Sequence, residues 1–112
     1  MKKIANLSLI LIAAAACLLP AATLAAAQTF DGVVSDSMCV RKHMMPGKSD
    51  AECIQECVKA GSKYVLVSGA KVYTLNAKAQ TLAAFAGKHV QVQGAVKNNI
   101  LDVQSIHESA SK

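Results

Sequence analysis

Three cysteines and a histidine fall in one short stretch of the chain, as Cys39 with His43 and Cys53 with Cys57. Each pair is spaced four apart, which places its members on one face of a helix. Thiolate and imidazole are preferred ligands of zinc, and three cysteines with one histidine complete a tetrahedral structural site. The familiar finger knuckle separates its cysteines by two residues. Here three intervene, so no named motif selects the metal. Met38, Met44 and Met45 crowd the same segment. Thioether with thiolate is the ligand set of cuprous copper, so zinc and copper are both candidate ions. The cheaper expectation for the methionines is that they fill gaps beneath the loop.

Oxidation competes with metal for the same thiols. Cys39 bridged to Cys53 or Cys57 would tie the loop to a helix. Closing a loop of about fifteen residues is worth about 3 kcal/mol in the chain-entropy account. A Cys53–Cys57 bridge would join successive turns of one helix and distort it. Any single bridge leaves one thiol over, and such a thiol packs as a small hydrophobe. A thiol redox protein is a further alternative, because Arg41, Lys42 and His43 beside Cys39 would favour its thiolate. No Cys-x-x-Cys pair is present to strengthen that reading, and covalent haem attachment lacks its Cys-x-x-Cys-His motif.

The N-terminus bears on which chemistry prevails. Lys2 and Lys3 precede an apolar run from Leu7 to Leu19, and Ala25-Ala26-Ala27 follows. Basic start, apolar core and small-residue cleavage site are the three parts of a secretory signal peptide. The expected division is therefore 1–27 signal peptide and 28–112 a single small exported domain, periplasmic or secreted. Cys17 lies in the discarded segment. Its acylation as a lipoprotein is disfavoured, because Ala14 stands where a larger aliphatic residue is usual and the later alanine site explains cleavage. An oxidising compartment makes disulfides available. Without Lys2 and Lys3 the chain carries ten basic against seven acidic side chains, a net +3. The basic residues are scattered, which argues against nucleic acid as a partner. No apolar stretch in 28–112 is long enough to span a membrane.

The remaining elements must position the cluster. Residues 29–35 alternate loosely and read as a strand with Phe30, Gly32 and Val34 on one face. Pro46-Gly47 breaks the chain, and Ser49-Asp-Ala-Glu52 is a capping box that starts a helix over 50–60. Lys59 and Gly61 suit its C-terminal end. Tyr64-Val-Leu-Val67 is a buried strand, and Ser68-Gly69-Ala70 turns it into a partner over 71–75. Residues 77–86 read as a second helix of good helix formers, with Leu82 and Phe85 three apart and Gly87 as its stop. Residues 89–96 alternate cleanly, with Val90, Val92 and Val96 on one face. Asn98-Asn99 suits a tight hairpin, because Asn tolerates positive φ. The last strand, 100–106, carries apolar residues that do not keep one period, which points to a β-bulge.

This order predicts a mainly β domain with two short helices, a small five-stranded, partly open OB-like barrel. An α+β sheet with two covering helices would give the same string. Asp31-Gly-Val-Val-Ser-Asp-Ser-Met-Cys39, His43, Glu52-Cys-Ile-Gln-Glu-Cys57, Gly61-Ser-Lys-Tyr-Val-Leu-Val67 and Ala86-Gly-Lys-His-Val-Gln-Val-Gln-Gly94 together resemble a family of small exported bacterial domains of unknown function. The resemblance spans nearly all of 28–112. It implies export and an OB-like barrel, and it brings no activity. Similar chains tend to have Gly directly after the first Cys, where this one has Val40.

The residues outside the cluster have plainer expected roles. His89 and His107 read as solvent-exposed strand residues. Asp31, Asp36 and Ser35 to Ser37 read as a solvated loop with turn and cap roles. Tyr64 and Tyr73 read as packing residues, too few to form a stacking platform for nucleic acid. No Ser–His–Asp order, carboxylate pair or phosphate loop argues for catalysis. The expected function is a binding or accessory module that holds a soft metal ion through Cys39, His43, Cys53 and Cys57. The alternatives are a disulfide-stapled module that binds an envelope protein, and a thiol redox protein.

Overall fold

The computed structural model describes residues 27–42 and 45–110. The signal-peptide assignment up to Ala26, Cys17, His43 and Met44 lie outside those residues. Seven elements follow in the order β1 (Gln28–Asp36), α1 (Asp50–Lys59), β2 (Tyr64–Ser68), β3 (Lys71–Asn76), α2 (Ala79–Ala83), β4 (His89–Lys97) and β5 (Ile100–Glu108). The strands pair in a closed ring, β1-β2-β3-β5-β4. Every contact is antiparallel except β3 with β5, a short parallel seam from Thr74–Ile100 to Asn76–Asp102. This is the five-stranded OB-type arrangement that the order of elements predicts, with a helix between the third and fourth strands.

β1 closes the ring by serving two neighbours. Gln28 to Val33 pair with β4, and Val33 to Asp36 pair with β2. Gly32 sits at the change of partner, where a Cβ would run into the carbonyl of Val67. The inner face holds Val34, Leu66, Leu75, Val90, Val92 and Leu101, with Ile54 of α1 and Leu82 of α2 closing the ends. Phe30 and Tyr73 meet edge to face at 5.3 Å, a favoured aromatic geometry. Tyr64 and Tyr73 are both buried, as their packing role requires.

Local signals in the sequence account for most boundaries. Both halves of the Ser49 capping box form: Glu52 N–H donates to Ser49 Oγ at 3.2 Å, and Ser49 N–H donates to Glu52 Oε2 at 3.0 Å. Asn98 and Asn99 take φ of 53° and 60°, the pair of positive values a two-residue β4–β5 hairpin needs. The bulge expected in the last strand is present, since Gln93 pairs with Ser105 while Gly94 pairs with Val103. Gln104 is thus left over, and the inward face switches from Leu101 and Val103 to Ile106. That explains the broken apolar period.

Two expectations are corrected. The second helix is only Ala79–Ala83, shorter than 77–86, because Ala86 leaves it to bridge Val34 of β1. Val96 is 38% exposed despite its alternation with Val90 and Val92, because it lies near the β4–β5 hairpin. Gly94 is a different matter: a Cβ there would collide with the Asp102 carbonyl. Gly94→Ala should therefore destabilise the domain by about 2 kcal/mol, within the usual cost of overpacking. Urea unfolding monitored by far-UV circular dichroism measures it.

Candidate metal centre

The first part of the site is the turn that follows β1. Asp36 ends the strand with no exposure to solvent, and Ser35 beside it is also buried. Asp36 Oδ1 accepts the backbone N–H groups of Met38 at 2.9 Å and Cys39 at 3.0 Å, which curls the chain into an Asx-type turn. The Asp36 carbonyl accepts from Val40 N–H at 3.0 Å. Ser35 Oγ donates to the Val40 carbonyl at 2.6 Å and draws the far side of the turn back onto the strand. Val40 takes φ of 41°, in the left-handed region that a β-branched residue rarely adopts. A glycine after the first cysteine would meet this need without strain.

The second part is α1. Ile54 and Val58 pack into the barrel core, while Cys53 and Cys57 are buried at 1% and 6% exposure. The helix is joined to the turn at its C-terminal end. Ser62 N–H donates to the Cys57 carbonyl at 3.0 Å, and Ser62 Oγ donates to Asp36 Oδ1 at 3.3 Å. Ser37 and Ser62 hydroxyls are 2.8 Å apart, and Lys63 N–H donates to Ser37 Oγ at 3.0 Å. Ser37 N–H in turn donates to the Lys63 carbonyl at 2.9 Å. One carboxylate and two hydroxyls thus bind the Cys39 turn to the end of the cysteine helix.

This stitching brings the Sγ atoms of Cys39, Cys53 and Cys57 within 4.8 Å of one another. Sulfurs bound to one tetrahedral zinc ion at about 2.3 Å lie about 3.8 Å apart, so a small contraction would close the three onto an ion. All three are free thiols. Three of the four residues proposed from the sequence, Cys39, Cys53 and Cys57, are thus brought together. His43, the fourth, lies outside the described residues. None of the disulfides considered from the sequence joins these thiols, and Cys39 faces both helix cysteines without being bonded to either.

In the metal-free protein the surroundings of Cys57 oppose its ionisation. Burial pushes the Cys57 thiol up to about 11, with the Asp36 carboxylate and the Cys39 and Cys53 sulfurs adding to the rise. A cation removes that opposition by pairing with the thiolates it displaces protons from.

Two expectations change here. Asp36 has the turn role that its residue type suggests, yet it is buried, not solvated. Its environment was not readable from a Ser-Asp-Ser run, which ordinarily marks a surface loop. Met38 and Met45 are 69% and 38% exposed, so neither fills a gap beneath the loop. The bland expectations for His89 and His107 hold, since both are exposed strand residues. A cleft of about 610 Å³ opens beside the same turn, where Arg41 lines it with Asp31, Val67, His89 and Ser109. The strand-one to strand-two connection of this barrel thus carries both the thiols and one wall of a surface cleft. Comparison with family models, with curated proteins and with solved structures finds no match to this chain.

Two outcomes test this account of the site. Asp36→Ala leaves two partly buried backbone donors, of Met38 and Cys39, without the carboxylate they bind, and removes an acceptor of the Ser62 hydroxyl. Stability should fall by about 3 kcal/mol in denaturant unfolding, as expected when hydrogen bonds to a buried charged group are lost. The raised Cys57 thiol has a definite alkaline consequence. The folded state holds its proton more tightly than the unfolded chain, where the thiol keeps its ordinary value of 9.0. The stabilising preference is present below about pH 9 and is lost as pH rises through about 11. Thermal melts of the reduced, metal-free protein should drop across that window, and Cys57→Ser should flatten the drop.

Proposed function

We propose that this chain is a small exported binding module that holds a soft metal ion in a site built from Cys39, Cys53 and Cys57, with His43 as the candidate fourth ligand. The observation that carries the reading is the gathering of three sulfurs from two separate elements within 4.8 Å. Thiols that merely filled core space would not need a dedicated turn to hold one of them over the other two. Here a buried carboxylate and two serines do that. Export is supported by the basic, apolar and small-residue succession of 1–27.

Zinc and cuprous copper both suit the sulfurs. Zinc would complete a tetrahedron with the imidazole. Copper would be favoured by the thioethers, because Met38 and Met45 stand exposed on the loop that carries Cys39. Exposed thioethers flanking a thiolate set suit capture of a cuprous ion from solution. In this reading the activity of the module is binding and release of the ion.

Native mass spectrometry of the reduced protein with zinc, or with copper kept cuprous, decides between these. One ion per chain is expected, with loss of the protons that the thiolates give up. A hundredfold excess of free ion over its dissociation constant should add about 2.7 kcal/mol of stability. Cys39→Ser, Cys53→Ser and Cys57→Ser should each weaken binding. Failure to bind either ion would leave the metal-free alternative, an envelope-protein interaction module, for which the cleft beside Arg41 is one candidate surface.

A further inference from the structure

The three thiols are not equivalent. Cys53 and Cys57 are buried on α1, whereas Cys39 is partly exposed in the turn after β1. A reagent from solution therefore meets Cys39 first. Behind it, the Cys57 sulfur lies within 4.8 Å of the Cys39 sulfur. The third sulfur, that of Cys53, is within 4.8 Å of both.

Geometry ranks the bonds these sulfurs could form. Cys53 and Cys57 are four apart on a helix, where Cβ atoms stand about 5–6 Å apart. A disulfide needs about 3.5–4.5 Å between them, so this pair would have to break the helix. Cys39 is under no such constraint, because it belongs to a turn and not to a regular element. Of its two possible partners, Cys57 is the one tied to the Cys39 turn, because Ser62 binds both the Cys57 carbonyl and Asp36. It also lies near the C-terminal end of α1, in the part of the helix that Ser62 ties to the same turn. Bringing Sγ atoms from within 4.8 Å to the bonded distance of about 2.05 Å calls for a shift of the turn alone.

We propose that Cys39 and Cys57 form a reversible disulfide that shuts the metal site, so that the centre is gated by the thiol–disulfide state of its surroundings. The gate rests on the metal reading above; the choice of Cys39 and Cys57 as the bonding pair does not. A small-molecule disulfide is the oxidant. The Cys39 thiolate attacks one of its sulfurs; that disulfide bond breaks, a mixed disulfide forms on Cys39, and the first small thiolate leaves. Cys57 sulfur then attacks Cys39 Sγ and expels the second small thiolate. The two leaving thiolates take up the two protons that Cys39 and Cys57 gave up, or protons from solvent when the site begins metal-loaded. Two protein thiols are oxidised and one small disulfide is reduced to two thiols. Cys53 keeps its thiol. One thiolate and an imidazole are too few to hold the ion, which leaves. Reduction restores the three-sulfur set.

The test uses the full exported chain and two separate measurements. Metal-free protein is treated with glutathione disulfide, the remaining thiols are alkylated, and the bond is mapped by peptide fragmentation. A Cys39–Cys57 bond with alkylated Cys53 is expected. Cys53→Ser should still form it, and Cys57→Ser should stop at glutathione attached to Cys39. A bond that includes Cys53, or no protein disulfide in the wild type, overturns the assignment whether or not metal binds. In the second measurement zinc or cuprous copper is counted before oxidation, after it, and after re-reduction. Stoichiometry should go from one ion per chain to none and back to one. An oxidised protein that keeps its ion overturns the gate, while a reduced protein that takes no ion overturns the proposed function itself and leaves the mapped bond as a staple.

Discussion

A buried carboxylate at the end of a β-strand, Asp36, is the group on which the cysteine cluster depends. It accepts from two backbone amides of the turn and from the hydroxyl of Ser62, and so faces two segments at once. One is the turn that carries Cys39. The other is the chain just beyond the helix that carries Cys53 and Cys57. Taking a carboxylate out of water is costly unless hydrogen bonds replace the lost hydration. Donors from those two segments help to replace that hydration, so the buried carboxylate favours their meeting. The same carboxylate adds to the effect of burial in disfavouring negative charge on Cys57.

The barrel supplies the fixed ground for this arrangement. β1 leaves β4 and joins β2 at Gly32–Val33, which delivers Ser35 and Asp36 to the end of the barrel where β2 begins. The Asp36–Tyr64 pairing sets the start of β2 directly across from the end of β1. The loop from α1 into β2 must therefore pass the cysteine turn, and Ser62 and Lys63 lie in that passage. α1 is held independently, by Ile54 in the core and by the Gln55 side chain donating to the Ala83 carbonyl at 3.1 Å. The helix thus has one row of residues for the barrel and another for the thiol cluster. Division of labour on one helix explains why two buried cysteines are not simply part of the core.

The chemistry of the site follows from the difference between its halves. The helix thiols are shielded and rigidly spaced. The turn thiol is nearer to solvent and sits in a segment with a strained residue, Val40, beside it. Metal binding requires all three to converge. Disulfide formation requires only the turn to move. Both would use the same short distances, so in the proposed function ligand exchange and oxidation are alternatives at one place.

Much of this was legible in the chain itself. Ser49 with Glu52 specified where α1 begins, Asn98-Asn99 specified a two-residue hairpin, and the lost period in Ile100 to Ile106 marked the bulge at Gln104. These are local signals, set by hydrogen bonds and sterics between residues near in sequence. The order of strands and helices was enough to suggest an OB-type barrel, because few closures suit five strands with a helix between the third and fourth. The type and spacing of Cys39, Cys53 and Cys57 named the candidate ligands. Tertiary structure alone decided that these three sulfurs share one place, that Asp36 is buried, and that Met38 and Met45 face outward. Each of those depends on contacts between residues more than twenty positions apart or on which side of a turn faces water. A Ser-Asp-Ser run looks like any solvated loop until β1, β2 and the end of α1 close around it, because burial is a property of the whole packing and not of the residues buried.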